Sequence, residues 1–148
     1  SARTEFEKII LNQIDSIPGK RVVVLGKPGE NGHYSERDDL QVYPHVSRGK
    51  MSELMNRARI VVCRSGYSTV MELVALNKQA LLIPTPGQTE QEYLAEYYRE
   101  QGYFRIAEQK DLDLQRELNQ LAKSNGHRLP QIPVNDTDTF LRYLAEPA

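Results

Sequence analysis

The sequence has a single cysteine, Cys63, in 148 residues, which excludes an internal disulfide and a cysteine-built metal cluster. Its three histidines, His33, His45 and His127, are widely spaced and form no ligand pattern, and no base or nucleophile motif accompanies them. Long apolar runs are absent. Val22 to Leu25 and Ala80 to Pro84 fall far short of the ~20 residues a membrane-spanning helix needs. No secretory signal is visible, and the expected location is cytoplasmic. Neither sign of charge dominates, since 19 Lys and Arg meet 20 Asp and Glu for a net charge of −1. That balance is typical of an ordinary soluble domain and offers no electrostatic footprint for nucleic acid.

What is present is an alternation of short apolar strands with amphipathic helices. Thr4-Glu5-Phe6-Glu7 reads as a capping box opening a helix with Phe6, Ile9, Ile10, Ile14 and Ile17 inward, stopped at Pro18-Gly19. Arg21 to Gly26 then reads as a buried strand and Leu40 to Tyr43 as a shorter one. A helix over Lys50 to Arg57 turns Met51, Leu54, Met55 and Ala58 to the core, and Ile60 to Cys63 is a β-branched run suited to a strand buried on both faces. A helix from Thr89 to Gln101 stops at Gly102, a strand covers Tyr103 to Ile106, and a helix near Asp113 to Ser124 follows. Residues 125–135 are linker-like, and Asp136 reads as the cap of a last helix carrying Phe140, Leu141 and Leu144. The pattern predicts an α/β, Rossmann-like, doubly wound parallel sheet, with residues 1–148 forming one domain.

In such a sheet ligands bind at the carboxyl ends of the strands, and two turns there concentrate the polar side chains. In the first, Arg64-Ser65-Gly66 ends the Ile60–Cys63 run. Gly66 is expected to permit a turn that a Cβ would hinder, and Ser68 or Thr69 to cap the next helix. That helix N-terminus suits a phosphate or diphosphate, and Arg64 offers it a planar charged fork. Glu72 then has two readings. It accepts hydrogen bonds from vicinal hydroxyls such as a ribose's, or it closes a Thr69-x-x-Glu72 capping box. The second turn leads from Thr85 to Gln91, where Thr89-Glu90-Gln91-Glu92 is also a capping box. Gly26 to Gly32 spaces its glycines as G-x-x-G-x-x-G, neither the dinucleotide fingerprint nor a P-loop, and the segment also reads as a plain loop.

Arg64-Ser65-Gly66, Thr69 and Glu72, followed by Pro84 and by Glu90-Gln91 ahead of Ala95, resemble the nucleotide-sugar motif of GT-B glycosyltransferases. The likeness is to the C-terminal domain of the family that includes the bacterial transferase adding N-acetylglucosamine to the lipid-linked cell-wall precursor. The resemblance implies that Glu72 holds the ribose hydroxyls of a UDP-sugar and that Ser65, Gly66 and Thr69 line its diphosphate. It implies that Gly26 and Lys27 border the diphosphate, that backbone near Val46 meets the uracil edge, and that Glu90 and Gln91 face the donor sugar. Asn77 and Gln79 stand where the family commonly has Gly and Pro, Leu94 replaces a frequent Asn, and Glu90 replaces a usual amide, so the donor sugar stays open.

The resemblance also implies a first strand and a glycine-rich loop before residue 1, and an N-terminal acceptor domain or partner chain carrying the general base. No catalytic residue is therefore assigned, and neither a metal nor a cofactor beyond the UDP-sugar is expected. Peripheral membrane association is expected only through that missing half. The expected function is the donor-binding half of an inverting transferase of a hexosyl or N-acetylhexosaminyl group. A non-catalytic subunit and a UDP-sugar epimerase of the same architecture are the alternatives, the latter lacking a convincing set of carboxylates and base. A dinucleotide oxidoreductase is more distant, because its fingerprint is missing.

Overall fold

The computed structural model describes residues 1–27, 35–37 and 39–123, with the backbone alone at 35–36 and 139–142. Its strands are β1 (Arg21–Val24), β2 (Ser35–Arg37), β3 (Leu40–Tyr43), β4 (Ile60–Cys63), β5 (Gln79–Leu82), β6 (Arg105–Ile106) and β7 (Thr139–Arg142). Its helices are α1 (Ala2–Gln13, continued by a 3-10 turn at Ile14–Ser16), α2 (Arg48–Arg57), α3 (Tyr67–Ala75), α4 (Thr89–Gln101) and α5 (Leu114–Lys123). One sheet runs β2-β3-β1-β7-β4-β5-β6, parallel throughout except for the antiparallel edge strand β2.

Period-two alternation along the central strands sorts the core into two layers. Ile60, Val62, Leu81 and Ile83 face one side, where α1 and α5 bury Phe6, Ile10, Leu114, Leu118 and Leu121. Val61, Cys63, Ala80 and Leu82 face the other, where α2, α3 and α4 bury Leu54, Met55, Val70, Leu73 and Tyr98. This is the doubly wound arrangement the alternation predicts. Cys63 is fully buried within β4, as a small apolar side chain.

Several boundaries follow the expectation for the expected reason. Gly19 (φ 86°) and Gly102 (φ 72°) adopt the left-handed conformation at the two stops. Asn77 does the same after α3 (φ 58°), where Lys78 N–H bonds Leu73 O and Asn77 N–H bonds Val74 O in a Schellman pattern. Lys78 itself is buried. Its ammonium donates to Asn56 O (2.5 Å) and Ala58 O (2.8 Å) at the end of α2, and desolvation lowers its pKa.

Other expectations are corrected. The cap of α1 is Ser1, whose Oγ accepts from Thr4 N–H, and Thr4 lies inside the helix. Strand β2 carries no apolar alternation to announce it. Phe140 and Leu141 lie in β7, not in a helix, while Asp136 and Leu144 lie outside the described residues. A pair of adjacent apolar residues fits either period, and the position between β1 and β4 is satisfied only by a strand that pairs on both edges, as β7 does.

Candidate functional site

Parallel strands send all their carboxyl ends to one edge, and the returning helices start there. At this edge β4 and β5 are neighbours, and their pairing continues past the strands through Ile83 N–H to Cys63 O (2.9 Å). The two polar turns therefore leave the sheet side by side. Ser65 is fully buried and donates its hydroxyl to Gln91 O (2.8 Å), joining the turn before α3 to the first turn of α4. The two turns expected as walls thus stand side by side and bonded to each other. Replacing Ser65 by Ala should lower stability by about 1 kcal/mol by removing that buried bond. In urea denaturation the variant is expected to show a lower midpoint with an unchanged slope.

Which groups stay available at this edge differs from the expectation. Arg64 is only 2% exposed, and its guanidinium donates to Ile83 O (3.2 Å), Pro84 O (3.3 Å) and Ala2 O (3.4 Å) while lying 4.1 Å over the Phe6 ring. It is turned into the protein, so the anion-fork role is corrected. Gln91 is also turned inward. Its Oε1 accepts from Thr85 N–H (2.8 Å), and its own N–H bonds Gln88 Oε1 (2.8 Å), making Gln88 rather than Thr89 the cap of α4. The Gln91 amide secures the loop, and only Glu90, which is exposed, stands outward from the expected sugar-facing pair.

The start of α3 departs most. Gly66, not Ser68 or Thr69, is its N-cap residue, and no side chain caps it, whereas Ser1, Ser47, Gln88 and Asp113 bond the first turns of the other four described helices. Thr69 sits within the first turn, buried, so the Thr69–Glu72 capping box is ruled out. The first intrahelical bond is Val70 N–H to Gly66 O (3.0 Å), so the N–H groups of Tyr67, Ser68 and Thr69 precede the ladder. Gly66 has an ordinary extended backbone (φ −72°, ψ 145°), and a Cβ built on it would meet nothing within 4 Å. Neither backbone strain nor packing therefore calls for glycine here, and the space over the helix start is open. Glu72 is half-buried on the same helix.

The remaining expected residues share the edge. Gly26 follows β1 with φ 70°, its carbonyl accepting from Arg3, and Lys27 N–H bonds Pro44 O (2.6 Å). Lys27 Nζ lies 3.3 Å from Glu7 Oε1. Val46 is half-buried against the α2–α3 layer, one residue before the N-cap Ser47. At ~4.8 Å per strand, β1 stands about 10 Å and β3 about 14 Å from β4. Residues 28–34 of the glycine-spaced loop lie outside the described residues.

Sequence reasoning missed a groove of about 340 Å³ on the other flank of α4. It lies between the Pro84–Gly87 loop, the α4 face of Glu92, Ala95, Glu96 and Arg99, and the segment after β6 that carries Glu108, Gln109 and Lys110. Three carboxylates face two cations there, a poor setting for a diphosphate. No candidate metal cluster occurs among the described residues. No helix among them is long and apolar enough to cross a membrane.

The parallel sheet with helices on both faces is a doubly wound, Rossmann-like α/β domain, and the uncapped start of α3 lies at the carboxyl ends of its strands. Residues 25–139 match the Glycosyltransferase family 28 C-terminal domain, and the chain belongs to that family. Among curated proteins it is 33% identical over 78 residues to the UDP-N-acetylglucosamine--N-acetylmuramyl-(pentapeptide) pyrophosphoryl-undecaprenol N-acetylglucosamine transferase of Caldanaerobacter subterraneus, covering 51% of this chain and 21% of that protein. The same enzyme of Haemophilus influenzae is 35% identical over 85 residues, or 57% of this chain and 24% of its own. That of Sulfurihydrogenibium sp. is 27% identical over 110 residues, or 68% and 31%. The chain thus spans about a fifth to a third of the curated relatives it matches. No solved structure matches it significantly.

Proposed function

We propose that this domain is the donor-binding half of an inverting glycosyltransferase and that it takes a UDP-sugar at the α3 edge. The observation that carries the reading is the start of α3, uncapped, opening on Gly66, with open space above it. Three N–H groups and the positive end of the helix dipole there suit the diphosphate, which approaches most closely where no Cβ intervenes. Glu72, one turn further along, accepts from the ribose hydroxyls. Gly26 and Lys27 border the phosphates, backbone at Val46 meets the uracil edge, and Glu90 lies toward the sugar.

In this reading the domain acts on the leaving group. As the bond from the anomeric carbon to the diphosphate breaks, negative charge grows on the bridging oxygen, and a fixed helix N-terminus stabilises it without reorganising. The acceptor hydroxyl attacks from the opposite face. Its general base and the acceptor site belong to the remainder of the protein, which also carries any peripheral membrane contact of this otherwise cytoplasmic enzyme. The names of the relatives favour N-acetylglucosamine as the transferred sugar.

Ligand-observed NMR with a nucleotide panel tests the assignment. UDP and UDP-N-acetylglucosamine should saturate the chain, GDP and ADP should bind more weakly, and UDP-glucuronate should be disfavoured by the Glu90 carboxylate. Saturation by GDP or UDP-glucuronate where UDP-N-acetylglucosamine gives no signal would overturn it.

A further inference from the structure

Three elements of the edge meet on one buried side chain. Through its bonds to Ile83 O (3.2 Å) and Pro84 O (3.3 Å), Arg64 ties the end of β4, from which α3 springs, to the end of β5, which leads to α4. Through Ala2 O (3.4 Å) and the Phe6 ring (4.1 Å), it ties both to the first turns of α1. All three helices start at this edge.

We propose that Arg64 is a positioning residue that fixes the spacing of the α1, α3 and α4 N-termini, and thereby sets nucleotide affinity without touching the nucleotide. The inference rests on the reading of this edge as the nucleotide site and adds what holds that site in shape. A guanidinium carries five donors in a rigid plane, so satisfying carbonyls from two segments fixes those segments relative to each other and to β4. Buried charge is a poor general route to stability, because desolvation offsets much of the attraction, but it constrains geometry. Without the fork the Pro84–Gln88 loop and the start of α1 must be ordered when the ligand binds, and that ordering weakens binding.

Arg64→Lys separates geometry from charge, since it keeps the cation and loses the fork. We expect it to remain folded, to bind UDP at least tenfold more weakly by calorimetry, and to exchange the Thr85 amide faster, because Thr85 follows the two clamped carbonyls. The amides of Val61 and Val62 in β4 should exchange as in the wild type. Phe6→Leu, which removes only the ring beneath the guanidinium, should move both readouts in the same direction by a smaller factor, and it decides the matter if Arg64→Lys does not fold. Wild-type UDP affinity together with wild-type exchange at Thr85 in the folded variant would overturn the proposal. If the wild-type chain itself does not bind UDP, the functional reading fails. The exchange measurement needs no ligand and still decides, with faster Thr85 exchange supporting the positioning role and unchanged exchange refuting it.

Discussion

Replacing Gly66 by Asp should make the domain more stable and at the same time nearly abolish its binding of UDP. The backbone at Gly66 is in the extended region any residue adopts, and no atom stands within 4 Å of a Cβ there. Asp is among the preferred N-cap residues, and α3 is the described helix without a side-chain cap. The new carboxylate also meets the positive end of the helix dipole, so a gain of about 0.5–1 kcal/mol, or roughly 2–4 °C in Tm, is expected. The same carboxylate would occupy the diphosphate's place. Like charges about 4 Å apart at an effective dielectric near 20 repel by about 4 kcal/mol, so UDP affinity should fall at least about 100-fold. A thermal melt and a calorimetric titration of one preparation read both effects. A purely structural glycine would give no such opposition of sign, and a Gly66→Asp variant that binds UDP normally would remove the phosphate from α3.

Glu72→Ala should weaken UDP binding by about 1–3 kcal/mol, on the order of 10- to 100-fold, if the carboxylate accepts from two ribose hydroxyls. The capping-box alternative is excluded by the helix boundary, since Thr69 lies inside α3 and cannot be its cap. A thermal melt of the same variant, whose Glu72 is half-buried, separates lost binding from lost stability. A 2′-deoxyribose nucleotide is the matching probe. dUDP should bind the wild type more weakly than UDP does, and the Glu72→Ala variant should discriminate less between the two. Equal affinity of wild type and variant for UDP would end the ribose role.

The fold was legible where side-chain chemistry has only one structural outcome. Ile60-Val61-Val62-Cys63 is β-branched and apolar on both faces, and it forms a fully buried parallel strand. Helix starts were harder to read because S/T-x-x-E repeats offer several registers. At Thr4 and Thr89 the cap lies upstream, at Ser1 and Gln88, and at Thr69 it is Gly66 with no side chain at all. Strand β7 was hidden because Phe140-Leu141 is too short to fix a period and its pairing partners lie far away in sequence.

That the two polar turns meet at one edge was legible for a similar reason: each follows a strand, and the two strands are parallel neighbours. Which way each side chain points was not. Arg64 faces inward because Phe6 and Ala2, from the other end of the described chain, complete its environment, and Gln91 does so because Thr85 offers an N–H. Local spacing carries neither fact. At the start of α3 the uncapped groups are backbone N–H groups, which a side-chain motif does not record.

The most direct test of the central claim is a titration of the isotope-labelled chain with UDP, followed through the backbone amide resonances. Binding at the start of α3 predicts saturable shifts largest at Gly66, Tyr67, Ser68 and Thr69, smaller ones at Glu72 and near Val46, and little change at Glu92, Glu96 and Glu108 around the groove beyond α4. Shifts centred on that groove, or none at millimolar UDP, would contradict the account.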